Sequence, residues 1–345
     1  MSTDRMAAWQ PLAGYWRKHQ ALFWWLHSIY ALLYGVFFMW LGRHSVLYIQ
    51  VAVIYLALIW ITSLWAPRWA LHPRVAGPWG HRLLRLTNYF QRNFYQQILF
   101  FLLPVYFASA TLLSPHSLFL GLLAVLAVLS TLDLVYEHRL SRRWNFMALF
   151  FAVTLFATFN AMLPLLWRTD LSRTILISGA LAAAGYATFC IRLSGLTGLR
   201  RWGLLLTGVV LLGGLVFFGR PCIPPVPLQL ADSRFGLDFD RASLEIRQPL
   251  AHVPRRPPEA LYLLTAIRAP LGLRERVTHR WYAGDRLISS LPFYSVDGGR
   301  VGGFRLWTGL RWPGVIPDQP VRVEVMLENG QLLGRVVLPP APAQE

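Results

Sequence analysis

Charge is what this 345-residue sequence has least of: Asp, Glu, Lys and Arg make up 14% of it, and lysine occurs once, at Lys18. An ordinary soluble domain carries about 25% charged residues, so a plain soluble chain is excluded. Cysteine is nearly absent as well, with only Cys190 and Cys222, too few for a disulfide framework. Cys222 follows an apolar run, but Pro221 stands where lipidation requires a small residue. Also missing are metal-ligand spacings of His, Cys and carboxylates, a nucleophile elbow and a glycine-rich phosphate loop. No metal, no cofactor and no hydrolytic centre is expected.

What the chain has instead is apolar surface, with 55% hydrophobic and 14% aromatic residues and a positive mean hydropathy. The net charge of +17 invites a nucleic-acid reading until it is located: 17 of the 33 basic residues but only four of the 16 acids precede residue 220. Basic loops beside apolar spans follow the positive-inside bias, so nucleic acid is set aside as a partner. Apolar runs at Ala21 to Leu41, Val46 to Trp65, Gln97 to Ser114, Leu118 to Val135, Trp144 to Trp167, Thr174 to Ile191 and Trp202 to Gly219 predict seven membrane spans. The first is too long and too rich in Trp and Phe for a cleaved signal peptide. Alternate connections carry 14 basic residues on one side and only Arg43, Arg168 and Arg173 on the other. The N-terminus is therefore expected in the cytoplasm and everything after the last span outside. That topology also separates the two cysteines.

The sequence changes character at Trp202 to Pro227, where an apolar run ends at Gly219 and Arg220, Pro221, Pro224, Pro225 and Pro227 follow. Beyond it, short alternating segments predict strands near 237–246, 260–267, 275–283, 286–294, 301–308, 321–328 and 331–338. Gly284 with Asp285 and Asn329 with Gly330 mark two hairpin turns. The predicted organisation is a helical membrane domain over 1–219, a proline-rich linker with a first strand over 220–259, and a β domain over 260–345. The expected fold class is an α-helical polytopic bundle followed by a small all-β antiparallel sandwich or barrel.

Three groups of residues are candidates for function. Reflection through the turn between the third and fourth spans puts Gln97 and Asp133 at one depth, with Asn93, Gln96, Ser130 and Thr131 around them. A carboxylate within a span needs a partner or marks an ion path, and a structural clamp by hydrogen bonds is the plainer reading. On the β domain, alternation puts His279 and Trp281 on one strand face, and Arg305 and Trp307 share a face elsewhere. Exposed, these four would make a platform for a glycan or an envelope protein; buried, they would be core. The stretch 81–96 spaces Leu83, Leu84, Leu86, Phe90 and Phe94 among arginines, a basic amphipathic pattern suited to an anionic leaflet or a cytoplasmic partner.

The run from Leu261 to Leu338, with HRWY at His279 to Tyr282, GDRL after it, FRLW at Phe304 to Trp307 and NGQLLGRV near the end, resembles the small bacterial domain of unknown function 2914. The membrane part, with NFYQQILFFLLPVYFAS and LSTLD, is similar to the membrane region that often precedes that domain. The resemblance implies an architecture and no activity. Taken together, the residues predict a bacterial inner-membrane protein whose periplasmic β module binds or assembles envelope components without catalysis. The alternatives are a transporter or channel using the Gln97 and Asp133 region, and an intramembrane enzyme acting on a lipid-linked substrate.

Overall fold

The computed structural model describes residues 29, 30, 33, 37, 54–62, 65, 77–132, 136, 143–193, 197–256, 258–311 and 319–340. Of the first expected span only residues 29, 30, 33 and 37 are described, and of the second only 54–62 and 65, all of them helical. Five helices follow: α1 Pro78–Ala108, α2 His116–Thr131, α3 Trp144–Trp167, α4 Leu171–Leu193 and α5 Gly198–Phe218. Among the described residues, three are long and apolar enough to cross a membrane: Asn145–Trp167, Leu171–Ile191 and Gly198–Phe218. α2 is apolar but only 16 residues long. α1 joins the third expected span to the amphipathic stretch before it as one continuous helix. No Gly or Pro occurs from His81 to Leu103 to interrupt it, and Gln91, Arg92, Tyr95 and Gln96 of the amphipathic stretch are buried.

Burial ranks the spans. The apolar window of α3 is 72% buried and that of α5 only 11%, so α3 is the bundle's centre and α5 its apolar outer wall. Small residues set the spacing between neighbours: Gly208 of α5 lies against the Tyr186 ring of α4, where a methyl group would collide with it. Leu56 and Ile59 of the 54–62 segment join the same buried core as Leu99, Phe151 and Leu155.

The chain beyond α5 is an antiparallel β-sandwich. Its strands are β1 Gln229–Gly236, β2 Phe239–Asp240, β3 Glu245–Ile246, β4 Pro249–Leu250, β5 Ala260–Arg268, β6 Arg274–Ala283, β7 Arg286–Ser290, β8 Tyr294–Asp297, β9 Phe304–Arg311, β10 Val321–Leu327 and β11 Leu332–Leu338. One sheet has the order β4-β1-β5-β9 and the other β11-β10-β6-β7, with β8 also paired to β6. β10 alternates buried and half-buried residues along its whole length, the period-2 pattern of a strand with one face in a core. Its Val321 and Val323 share one buried cluster with Leu261 and Leu263 of β5, and its Val325 shares another with Ile267. Both predicted hairpin turns are present, with Gly284 at φ 56° and Gly330 at φ 86°.

The start of the β region differs from the sequence expectation. The first strand begins at Gln229, whereas 237–246 folds as the short β2–β3 hairpin. Ala231, Asp232 and Ser233 have little intrinsic strand preference; β1 is a strand because β4 and β5 flank it, with a register shift between Leu230 and Asp232. The prolines after α5 are packed, not a free stalk. Ile223, Pro224, Pro225 and Val226 are buried, with Ile223 and Val226 in the bundle core and Leu228 in the sandwich core.

Candidate functional site

The four residues expected to share a binding face are divided by the sandwich. His279 and Trp281 point inward from β6 and are fully buried, because that strand turns Val277, His279 and Trp281 toward the opposite sheet. Trp281 meets Phe235 edge to face at 5.9 Å. The His279 ring spans the two sheets: Nε2 lies 3.1 Å from Thr265 Oγ1 on β5, and Nδ1 lies 2.8 Å from Thr308 Oγ1 on β9. Thr265 already spends its hydroxyl proton on the Leu306 carbonyl oxygen, so Nε2–H is the donor to Thr265 and Nδ1 accepts from Thr308. Burial pushes the His279 pKa down to about 4. It is a neutral bolt through the core and is not available to a ligand.

Arg305 and Trp307 lie on the opposite, outward face of β9, where the β2–β3 hairpin folds over them. Phe239 stacks on Trp307 at 4.5 Å, and Tyr262 sits beside both rings. The Arg241 guanidinium lies over the indole at 5.4 Å. Arg305 donates to the carbonyl oxygens of Ser243 and Leu244, at 3.2 and 3.1 Å. The hairpin is closed by Arg247 and Asp240 at 2.7 Å, and this hydrogen bond holds the Asp240 carboxyl down at about 2. Among the described residues Arg241 has no ion-pair partner. The exposed corner therefore offers an uncompensated guanidinium beside an aromatic stack, a combination suited to an anionic or sugar-bearing surface.

Beneath the sandwich is a seam with the bundle. Leu171, the first residue of α4, is buried in the sandwich core with Leu228, Ala269, Leu273 and Val277. Its N–H donates to Glu275 Oε1 on β6 at 2.6 Å, while the Asp170 carboxylate caps the same helix by accepting from Arg173 N–H at 2.8 Å. Two carboxylates thus sit at one helix N-terminus, where the dipole favours negative charge. Burial nevertheless dominates and raises the Glu275 pKa to about 7, with Asp170 and Glu328 adding to the rise. Two longer reaches complete the seam: Gln331 Nε2 donates to the Ile223 carbonyl at 2.8 Å, and Arg335 Nη1 to the Leu113 carbonyl at 2.9 Å. The turn between α1 and α2, the turn between α3 and α4, and the end of α5 all meet the β module.

Of the intramembrane group, Gln96 is buried and Asn93 half-buried. Gln97 Oε1 is shut from solvent with no donor among the described residues. Ser130 and Thr131 are buried but donate to the Ala127 and Val128 carbonyls of their own helix. Asp133 lies outside the described residues, as does Glu137. No group of His, Cys, Asp and Glu among the described residues is arranged to hold a metal.

A family model described as a family of unknown function (DUF5924) matches residues 6–257. The chain belongs to that family. The DUF5924 segment takes in all five helices, the seam residues up to Leu228 and strands β1 to β4; β5 to β11 lie beyond it. It is a different family from the one the C-terminal motifs resemble, and nothing shows that second resemblance. Neither a curated protein nor a solved structure matches this DUF5924 chain.

Sequence reasoning did not single out Phe239, Arg241 and Tyr262 of the outer corner, or Glu275, Gln331 and Arg335 of the seam. The outer corner depends on a hairpin folding back over a sheet, and the seam on contacts between residues more than 100 positions apart. Neither leaves a local pattern. One signal was available: Arg168 to Arg173 lies in a loop expected on the same side as the β module, and it supplies Leu171.

Proposed function

We propose that the protein is a seven-span bacterial inner-membrane protein, with its N-terminus in the cytoplasm, that holds a periplasmic β-sandwich against its own outer loops as a non-catalytic binding or assembly module. The observation that carries this reading is the seam. A module tied to the bundle through Leu171, Glu275, Gln331 and Arg335 is fixed in orientation, which serves presentation of a surface better than free tethering does. The basic-residue bias agrees in sign, since the loops that meet the module belong to the side with few arginines. The partner is an envelope protein or glycan engaged at the corner of Arg241, Arg305 and Trp307.

Two experiments test it. A phosphatase fused after Leu338 is expected to be active and one after Arg143 inactive; the reverse would overturn the topology. The full chain in mild detergent is expected to retain an envelope component that Arg241→Glu releases while thermal unfolding is unchanged. Failure to retain any glycan or envelope protein would sink the binding reading.

One observation favours transport as a second reading: the buried Gln97 Oε1, which has no donor among the described residues, is an acceptor that a permeating cation or proton donor would satisfy. Ion flux in proteoliposomes that disappears with Gln97→Leu would favour it over the binding module.

A further inference from the structure

A cavity of about 240 Å³ lies in the half of the bundle nearest the β module, between α2, α3, α4 and α5 and the turn after α5. Ala152 and Ala182 line it from the buried interior, at 0% and 2% exposure. Leu118, Leu122 and Leu215 line it from the surface, where they are also open to the surroundings, and Cys222 closes the end under the module. Its lining is almost wholly apolar, so a water molecule would find none of the two to four polar partners it needs. An apolar cavity of roughly 150 Å³ already accepts a benzene-sized guest. The opening lies on the apolar outer wall that α5 and α2 turn outward, so the surface that meets hydrocarbon continues without a break into the cavity. What enters from that side is hydrocarbon, and the small side chains of Ala152 and Ala182 in the lining leave room for it.

We propose that this cavity binds one acyl chain of a phospholipid from the leaflet on the β module's side, and that the bound chain braces the turn from which the module hangs. The second half follows from the lining. Ile223 forms part of the cavity wall, and its carbonyl oxygen accepts from Gln331 of the sandwich. An occupied cavity supports that carbonyl from below; an empty one leaves the wall without packing partners on one side. Transfer between two hydrocarbon surroundings supplies no hydrophobic driving force, so retention comes from close packing. A substitution that fills the space should therefore displace the chain.

The test uses the full chain in nanodiscs doped with a phosphatidylcholine that bears a photoreactive diazirine in its acyl chain. Adducts on Leu118, Leu122 and Cys222 are expected to exceed those on the lipid-facing Leu211. Ala152→Phe should reduce the cavity adducts about tenfold while leaving those on Leu211 unchanged. Cavity adducts no more frequent than at Leu211, or equally frequent in the filled variant, would overturn the proposal. Should Ala152→Phe fail to fold, the wild-type chain supplies an independent reading, because Cys222 lines the cavity and Cys190 is buried. N-ethylmaleimide should alkylate Cys222 about tenfold more slowly when phosphatidylcholine is returned to delipidated protein. An unchanged rate would mean that the space is filled by the chain's own residues or left empty, and would count against the site.

Discussion

The bundle and the sandwich both bury hydroxyl groups, and they satisfy them in opposite ways. In the bundle most turn back on their own helix: Thr154 donates to the Phe150 carbonyl at 2.8 Å, Thr158 to Thr154 at 2.7 Å, Ser130 to Ala127 at 2.6 Å and Thr188 to Gly185 at 2.7 Å. In the sandwich they reach across. Thr265 and Thr308 hold His279 from the facing sheet, and Thr278 donates to the Leu291 carbonyl at 2.5 Å. A helix satisfies its backbone internally and accepts a hydroxyl three or four residues along without any tertiary partner. A strand has no such local acceptor, so a buried hydroxyl in a sheet must find a remote one. Polar residues in the spans are therefore weak evidence of a site, while those inside the sandwich fix how its two sheets register. The bundle's exceptions are of two kinds: Tyr106 donates to the Ala157 carbonyl and accepts from the Asn160 amide, and Trp60 donates to Thr188, whereas the hydroxyls of Tyr95, Ser109, Tyr136 and Ser178 are buried with no partner among the described residues.

This contrast can be broken or sharpened by substitution and by pH. The largest effect is expected from Trp281→Ala, which empties the sandwich core at a cost of about 3–5 kcal/mol. Limited proteolysis of the full chain should then cut the β region while the helical circular dichroism persists. Acid comes next. His279 is neutral in the fold and its pKa is lowered to about 4, so its contribution is intact above pH 6.5 and is lost as pH falls from there toward 4, by about 3 kcal/mol. Glu275 acts in the other direction: its raised pKa means that the folded form gains stability as pH falls from about 7 toward 4.5. The His279 slope is thus best read from unfolding curves in a Glu275→Gln background. Thr308→Val leaves His279 Nδ1 buried without a donor and should cost about 1–3 kcal/mol in the same unfolding measurement. The smallest effect belongs to Thr158→Val in α3, about 0.6 kcal/mol or less. A Thr158 loss as large as that of Thr308 would erase the contrast.

The long helices were legible because an apolar run of span length has few other uses; α3 starts and ends where the sequence places it, at Trp144 and Trp167. The hairpins at Gly284 and Gly330 were legible because positive φ selects glycine. The face of β6 was only half legible. Alternation correctly groups Val277, His279 and Trp281, but the other face carries Thr278, Arg280 and Tyr282, which are bulky too, and only the arrival of β5 and β9 decides which set is buried. β1 was illegible, since Ala231, Asp232 and Ser233 carry no strand signature and owe their conformation to their neighbours. The partners that complete the outer corner and the seam were hidden for the same reason, being made by chain crossings.

α1 is a rod. Its 31 residues extend about 46 Å, half as long again as the roughly 30 Å of a bilayer's hydrocarbon core. One end bears Arg82 and Arg85. The other feeds the turn whose Leu113 carbonyl takes the hydrogen bond from Arg335. Near this second end, Tyr106 bonds the rod to α3, so a single continuous helix links its Arg82 and Arg85 end to the sandwich through the bundle.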